Sequence, residues 1–263
     1  MSGSVALTTA ATPVSGPGTV VVLGVTSAIS RALAAEFARR GHDLIVASRD
    51  IEETNAIASD IEVRHRVKVL AKQFEAEAFG SHAAFVNECV RDAGAVLDGV
   101  VLGFGFMDEQ TTAQSNFEVA RKNIDVNVNA VISICEKFAP YLEAARRGFI
   151  AGISSVAGDR GRQSNYIYGA SKAGMSAYLQ GLRNRLHASN VHVITIKPGF
   201  VDTKMTWGLP LPGPLVATPK RAAREIYKAI EAKKNVVYVP WFWRYIMTII
   251  CAIPEWQFKK MKM

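Results

Sequence analysis

Three side chains that handle protons, Ser155, Tyr168 and Lys172, fall within one short stretch of the chain. If Tyr168 opens a helix, Lys172 lies four residues on, one turn away on the same face, so that an ammonium stands beside a phenol. A neighbouring positive charge is expected to lower the tyrosine pKa toward neutrality. Ser155, thirteen residues upstream at the end of the strand-like run Gly148–Ser154, offers a hydroxyl to hold a carbonyl oxygen while Tyr168 gives or takes its proton. That is general acid/base chemistry, which contributes about 10²- to 10⁴-fold to a rate. A Tyr-x-x-x-Lys pair alone also describes an ordinary helix surface, so the rest of the chain decides.

The grouping resembles the active site of the short-chain dehydrogenase/reductase family, a Tyr-x-x-x-Lys pair preceded by a serine about a dozen residues earlier. Other segments extend the likeness. The family's glycine-rich turn, Thr-Gly-x-x-x-Gly-x-Gly, stands here as Leu23-Gly24-Val25-Thr26-Ser27-Ala28-Ile29-Ser30, with only the first glycine kept. Small residues still admit a pyrophosphate to a helix N-terminus, and Thr26, Ser27 and Ser30 add hydroxyls. Ser48 ends the second strand where an acid would grip the ribose diol of NAD. With Arg49 following, NADP(H) is the favoured cofactor and NAD(H) the alternative, Arg49 facing a 2′-phosphate or else standing as a solvated cation. Glu75 occupies the position of the family's acidic residue near adenine. Gly103 and Gly105 fall in the stretch that replaces its Asn-Asn-Ala-Gly, with Gly105 the glycine retained. The segment Asp125-Val126-Asn127-Val128-Asn129 matches the helix carrying a fourth catalytic residue. Asn127 fits that role best and Asn129 competes; the family uses this asparagine in a water relay to the lysine. Pro198, Gly199, Val201 and Thr203 match Pro-Gly-x-Val-x-Thr, the loop that holds the nicotinamide carboxamide in the resembling enzymes. In them the lysine also binds the cofactor ribose.

These residues need a scaffold, and apolar runs of strand length alternate with helical patterns along the chain. Strands are expected at 19–23, 43–47, 67–71, 99–102, 149–154, 191–196 and 236–239, and helices at 29–40, 52–64, about 113–144 and 166–187. The alternation implies an α/β fold: a Rossmann-like doubly wound parallel sheet with helices on both faces and a ligand site beyond the carboxyl ends of its strands. At 263 residues and 49% apolar composition, one domain with a full core is expected over 19–240. Residues 1–18 read as a loose tail without the features of a signal peptide, and 241–263 as an amphipathic basic extension. In the resembling family the two long helices pair between subunits, which implies a homo-oligomer.

Cys89, Cys135 and Cys251 are too far apart to suggest a metal or redox site, and the five histidines show no ligand spacing. No metal is expected. A reducing cytoplasm is the simplest setting, with a place at the inner face of the cytoplasmic membrane as the extension of that reading.

The net charge is +8, and residues 218–263 hold ten Lys or Arg against three Asp or Glu, a net +7. No nucleic-acid module accompanies this charge. Within it the apolar run 245–253 is only nine residues, against about twenty needed to span a bilayer. Trp241, Trp243, Tyr245, Trp256 and Phe258, with Arg244 and the terminal lysines, have the composition of an interfacial anchor; a segment folded over the core or a subunit interface is the alternative. The apolar, proline-rich stretch 205–216, which includes Trp207, is expected to cover the substrate. Arg160 and Arg162 are expected near the mouth of the site, where two guanidinium groups would suit a phosphate, or else as solvated loop charges.

Residues 152–174 and the ending 238–254 together look like the decaprenylphosphoryl-2-keto-ribose reductases. That likeness implies NAD(P)H-dependent reduction of a 2-keto-pentose on a polyprenyl phosphate. A reductase of another lipidic ketone, 3-oxoacyl or sterol-like, and a membrane-docked binding protein with a degraded nucleotide site are the other two readings.

Overall fold

The computed structural model describes residues 16–94, 96–203 and 213–262. Seven parallel strands form a single sheet in the order β3-β2-β1-β4-β5-β6-β7: β1 Thr19–Leu23, β2 Leu44–Ser48, β3 Val69–Gln73, β4 Leu97–Leu102, β5 Phe149–Ile153, β6 His192–Pro198 and β7 Val236–Val239. Strands β1, β2 and β5 are buried along their whole length, as expected of a sheet covered on both faces.

The period of two along a strand divides the core. Val20 and Val22 point to one layer, with Leu33, Phe37, Ile226 and Tyr227; Val21 and Leu23 point to the other, with Phe85, Ile134, Phe138 and Leu179. Helices α1 Ala28–Arg39, α2 Ile51–His65 and α8 Pro219–Glu231 supply the first layer. Helices α3 His82–Asp92, α6 Ala130–Ala145 and α7 Tyr166–His187 supply the second. Burying each of the large aliphatic and aromatic side chains in these layers contributes about 1.5–3 kcal/mol.

The expected helix at about 113–144 is divided. Helix α4, Gln110–Ser115, stops at Asn116, whose side chain accepts from the Glu118 N–H and caps α5, Phe117–Ile124. One wide π-helical turn, Asp125–Asn129, then joins α5 to α6. The pattern signal for α3 and α8 was present in the sequence, in His82, Phe85, Val86 and Cys89 for one and Ala222, Ala223, Ile226 and Ile230 for the other, all buried.

The segment after Pro240 is not detached from the domain. Helix α9, Trp243–Ala252, packs Trp243 and Met247 into a third buried cluster with Val156, and the short α10, Glu255–Phe258, follows it. The expected loose tail, for residues 1–15, and the part of the expected cover at 205–212, with Trp207, lie outside the described residues.

The strand order reverses between β1 and β4, so the loops that leave their carboxyl ends diverge and open a crevice. The site is built there.

Candidate active site

Strand β5 delivers Ser155 to the end of the crevice, and its hydroxyl accepts from the Ala157 N–H at 3.1 Å, starting the tight turn Val156–Gly158. That turn presses against α7: a Cβ on Gly158 would fall 2.7 Å from the Ala173 nitrogen and the Lys172 carbonyl carbon. Only a glycine allows this approach, which brings Ser155 beside the first turns of α7, where Tyr168 and Lys172 stand.

Ser155, Tyr168 and Lys172 all line one cleft of about 1200 Å³. This exceeds the roughly 300–1,000 Å³ of an ordinary ligand pocket, leaving room for a dinucleotide and a second molecule.

Lys172 is only 4% exposed. Its Nζ donates to the Ile153 carbonyl oxygen at 3.0 Å and lies 5.8 Å from the centre of the Tyr168 ring. Burial penalises the ammonium and pulls its pKa down to about 8. The Tyr168 phenol, although its ring keeps some exposure to the cleft, is pushed up to about 12 by burial, against which a hydrogen bond with Ser155 works in the opposite direction. The expected shift of Tyr168 toward neutrality is therefore reversed, because desolvation of the hydroxyl outweighs its hydrogen bond with Ser155. The phenol is thereby kept in the form that can give up a proton.

Asn127 lies beneath the cleft, fully buried in the π-helical turn. Its Oδ1 accepts from the Phe106 N–H at 2.9 Å, and its Nδ2 donates to the Phe106 carbonyl at 2.7 Å and to Ser171 Oγ at 2.9 Å. The side chain thus fixes the loop after β4 to α7. Asn129 instead donates to Asp125 at 2.8 Å, one turn back on the surface, and does not line the cleft. Asn127 and Lys172 converge at Gly105, where a Cβ would sit 3.1 Å from Asn127 Oδ1 and 3.4 Å from Lys172 Nζ.

The turn after β1 keeps its form despite the missing glycines. Gly24 has φ +79°, a left-handed conformation, and a Cβ there would fall 2.5 Å from the Phe104 nitrogen. Ser30, in place of the last glycine, is buried, and its Oγ reaches the Gly103 carbonyl at 3.5 Å. Its bulk is accommodated by Gly103, where a Cβ would fall 2.0 Å from Ser30 Oγ. Helix α1 begins at Ala28 with no side-chain cap from Ser27, leaving its first N–H groups to face the cleft, where Gly24, Thr26, Ser27, Ala28 and Ile29 all contribute to the wall. A free helix N-terminus behind a glycine turn suits a pyrophosphate, so these residues fit a dinucleotide.

Ser48, Arg49 and Glu75 line the same cleft, as do Gly103, Gly105, Pro198, Gly199, Val201 and Thr203. The Ser48 hydroxyl is engaged with Thr54 Oγ1 at 2.7 Å and with the Asp50 carbonyl at 3.1 Å, while Arg49 is exposed and forms no ion pair among the described residues. Phe104, which stands at the alanine of the resembling family's Asn-Asn-Ala-Gly, and Phe106, just past that stretch, were not singled out in the sequence. Phe104 meets the Phe74 ring at 5.2 Å, and both phenylalanines form part of the wall. The aromatic residues of Gly103-Phe-Gly-Phe106 were the available signal.

Arg160 and Arg162 do not line the cleft. Arg160 points the other way and donates to the carbonyls of Ile250, Cys251 and Ile253 at 2.6–3.0 Å. The expectation of two cleft guanidinium groups is thus corrected: the carbonyls at the C-terminal end of α9, negative end of the helix dipole, claim Arg160. Arg162 is partly buried, its Nε has no partner among the described residues, and desolvation lowers its pKa.

Residues 18–211 match the family described as short chain dehydrogenase. An uncharacterized oxidoreductase of Mycobacterium tuberculosis is 30% identical over 246 residues, covering 94% of this chain and 98% of the relative. A 3-oxoacyl-[acyl-carrier-protein] reductase of Chlamydia muridarum is 28% identical over 189 residues, 72% of this chain and 76% of the relative. Among solved structures, a short-chain dehydrogenase from Sphingobium yanoikuyae in complex with NADPH has a similar fold, with TM-score 0.78 at 24% identity, covering 90% of this chain and 97% of that one.

Proposed function

The chain belongs to the short-chain dehydrogenase family and is an NAD(P)-dependent oxidoreductase, and we propose that it reduces a ketone on a hydrophobic or lipid-linked substrate with NADPH. The observation that carries this reading is the convergence of Ser155, Tyr168 and Lys172 on one cleft whose far arm begins at the Gly24 turn.

Bound in that cleft, the nicotinamide would supply the hydride. Everything else falls to the protein. Ser155 holds the substrate oxygen by hydrogen bond, and Tyr168, kept protonated, donates its proton to that oxygen as charge develops on it. Lys172 lends its charge to the phenolate so formed and reaches toward the cofactor ribose, while Asn127 fixes Phe106 and Ser171 around it. Pro198, Gly199, Val201 and Thr203 form the wall assigned to the carboxamide. Gly24 to Ile29 receive the pyrophosphate, and Arg49 selects NADP(H) over NAD(H) through the 2′-phosphate.

A polyprenyl-phosphate 2-keto-pentose is the first substrate to test. It is supported by the likeness of residues 152–174 and 238–254 to the keto-ribose reductases, and no longer by Arg160, which is committed to α9. A 3-oxoacyl thioester is the competing ketone, favoured by the 28% likeness to the chlamydial reductase.

The same reading includes docking on an anionic lipid surface. No helix of the described residues is long and apolar enough to cross a membrane. However, Trp241, just before α9, and Tyr245 and Ile249 on it are 61%, 63% and 68% exposed, and Trp256 is exposed as well. Arg244, Lys259, Lys260 and Lys262 are exposed in the same C-terminal segment, a combination complementary to anionic headgroups. Exposed Phe117 and Tyr141 on α5 and α6 support pairing of subunits through that side.

The test is a titration of NADPH and NADH by nicotinamide fluorescence, followed by ketone reduction with the two substrate types. NADPH-dependent turnover of the keto-pentose is the expected result. Turnover of the 3-oxoacyl thioester alone would move the substrate assignment, and binding of neither nucleotide would remove the reductase reading.

A further inference from the structure

Helix α9 lies beyond the 18–211 stretch shared with the short chain dehydrogenase family, yet it makes an intimate contact with the turn after β6. Trp243 is 3% exposed, and the nitrogen edge of its indole rests on Gly199: a Cβ there would fall 2.0 Å from Nε1 and 2.1 Å from Cε2. The next residue, Phe200, meets the same indole edge-on at 4.9 Å. Val156, which follows Ser155, completes the buried cluster with Trp243 and Met247. One side chain therefore touches the turn on the nicotinamide wall and the residue beside the serine. Its N–H has no acceptor among the described residues, and packing on Gly199 and Phe200 holds the ring.

The other end of α9 is fastened to the same site. The Arg160 Nη1 donates to three carbonyls at and just past the helix end, those of Ile250, Cys251 and Ile253, and its Nη2 pairs with Glu255 at 2.9 Å. The guanidinium also lies 3.7 Å over the Phe258 ring. Asp159, the preceding residue, accepts from the Tyr238 hydroxyl at 2.9 Å and pairs with Lys197, the residue before Pro198. The loop between Ser155 and Tyr168, the ends of β6 and β7, and α9 thus form one closed frame.

We propose that Trp243 is a positioning residue, acting through Gly199 to set the turn that receives the nicotinamide half of the cofactor, with Arg160 locking α9 to the loop that joins Ser155 to Tyr168. The proposal rests on the cleft being the NADP(H) site described above. A glycine under an indole edge leaves that turn no alternative position, whereas removal of the indole opens a void into which it relaxes. Displacements near 1 Å can cost about 100-fold in rate. The adenosine arm lies elsewhere: among the described residues, none before Val156 belongs to the Trp243 cluster.

This difference between the two arms gives the test. Wild type, Trp243→Ala, Trp243→Phe and Arg160→Gln are titrated with NADPH and with 2′-phospho-ADP-ribose, which lacks the nicotinamide. Trp243→Ala is expected to weaken NADPH about tenfold or more while leaving the fragment within about twofold. Trp243→Phe, which keeps a ring on Gly199, should recover most of the loss. Arg160→Gln removes no core volume and should shift NADPH alone in the same direction, so it decides the matter if Trp243→Ala fails to fold. Equal loss of both ligands would make α9 a general structural support and overturn the proposal, as would unchanged binding of both. If wild type binds neither ligand, the cofactor reading fails and this inference with it; if wild type binds and the variants do not discriminate, only the inference fails.

Discussion

Lys172 Nζ donates to the carbonyl oxygen of Ile153 at 3.0 Å, joining the helix that carries Tyr168 to the end of the strand that delivers Ser155. A lysine held this way is positioned before any ligand arrives, but it is also buried, and burial pulls its pKa down to about 8. Its charge is therefore available at neutral pH and lost shortly above it.

Tyr168→Phe removes the one group placed to protonate the substrate oxygen and leaves the ring that lines the cleft. Turnover is expected to fall by about 10²- to 10⁴-fold, the usual contribution of a positioned acid, while NADPH affinity stays close to wild type. Steady-state reduction together with a nucleotide titration checks this, and substantial residual turnover would remove Tyr168 from the mechanism.

The pH dependence has a definite sign. Tyr168, pushed up to about 12, stays protonated throughout the working range and does not limit reduction. Lys172 loses its charge as pH rises through about 8, so kcat/KM for reduction should be level near neutrality and decline above it. In Lys172→Arg the cation no longer titrates in this range, and whatever activity remains should hold to higher pH. A decline left in place by that substitution would belong to another group.

Arg49 is exposed, lines the cleft and forms no ion pair among the described residues. Arg49→Ala should weaken NADPH by about ten- to one-hundred-fold, the loss of a charge-assisted hydrogen bond of about 1.5–3 kcal/mol, and leave NADH nearly unchanged. Parallel fluorescence titrations decide it; equal loss of both nucleotides would place the 2′-phosphate elsewhere.

Legibility in the sequence followed the range of the interactions. Ser155, Tyr168 and Lys172 announce themselves because their chemistry is local to one strand, turn and helix. Strand β7 was legible to the residue, Val236–Val239, because its apolar run ends at Pro240. Arg160 was not, since its partners lie ninety or more residues away at a helix end whose carbonyls have no pattern of their own. The Tyr168 pKa was misjudged for a related reason: sequence shows the lysine beside it but not the depth at which the phenol is buried. The loss of two glycines looked more damaging than it is, because the space that admits Ser30 is left by Gly103, on another strand's end.

Removing everything after Pro240 would not isolate lipid docking, since it deletes Trp243 and Met247 from a buried cluster. Replacing Trp241, Tyr245 and Ile249 together by serine alters only the outward face. Wild type is expected to sediment with vesicles rich in phosphatidylglycerol, each nearby Lys or Arg adding about 1 kcal/mol, and not with phosphatidylcholine alone. The triple variant should stay in the supernatant with its melting midpoint preserved. Sedimentation unaffected by the three substitutions would rule this face out.

Ser30 and Gly103 should behave as a coupled pair. In Gly103→Ala the new methyl group would lie 2.0 Å from Ser30 Oγ and 3.1 Å from the Leu23 carbonyl oxygen, so α1 must move away from β4 or the turn after β4 must shift. Either movement disturbs the Gly24 turn, because Phe104 packs directly on it. Overpacking of this kind costs about 1–3 kcal/mol, and it should appear both in denaturant unfolding and as weaker NADPH binding. Ser30→Gly removes the hydroxyl that the methyl meets, so the double variant Ser30→Gly with Gly103→Ala should recover much of both losses. The recovery should be incomplete, since the Leu23 carbonyl still stands close. A double-mutant cycle measures it directly: strictly additive effects of the two substitutions would show that Gly103 does not make the room that Ser30 occupies.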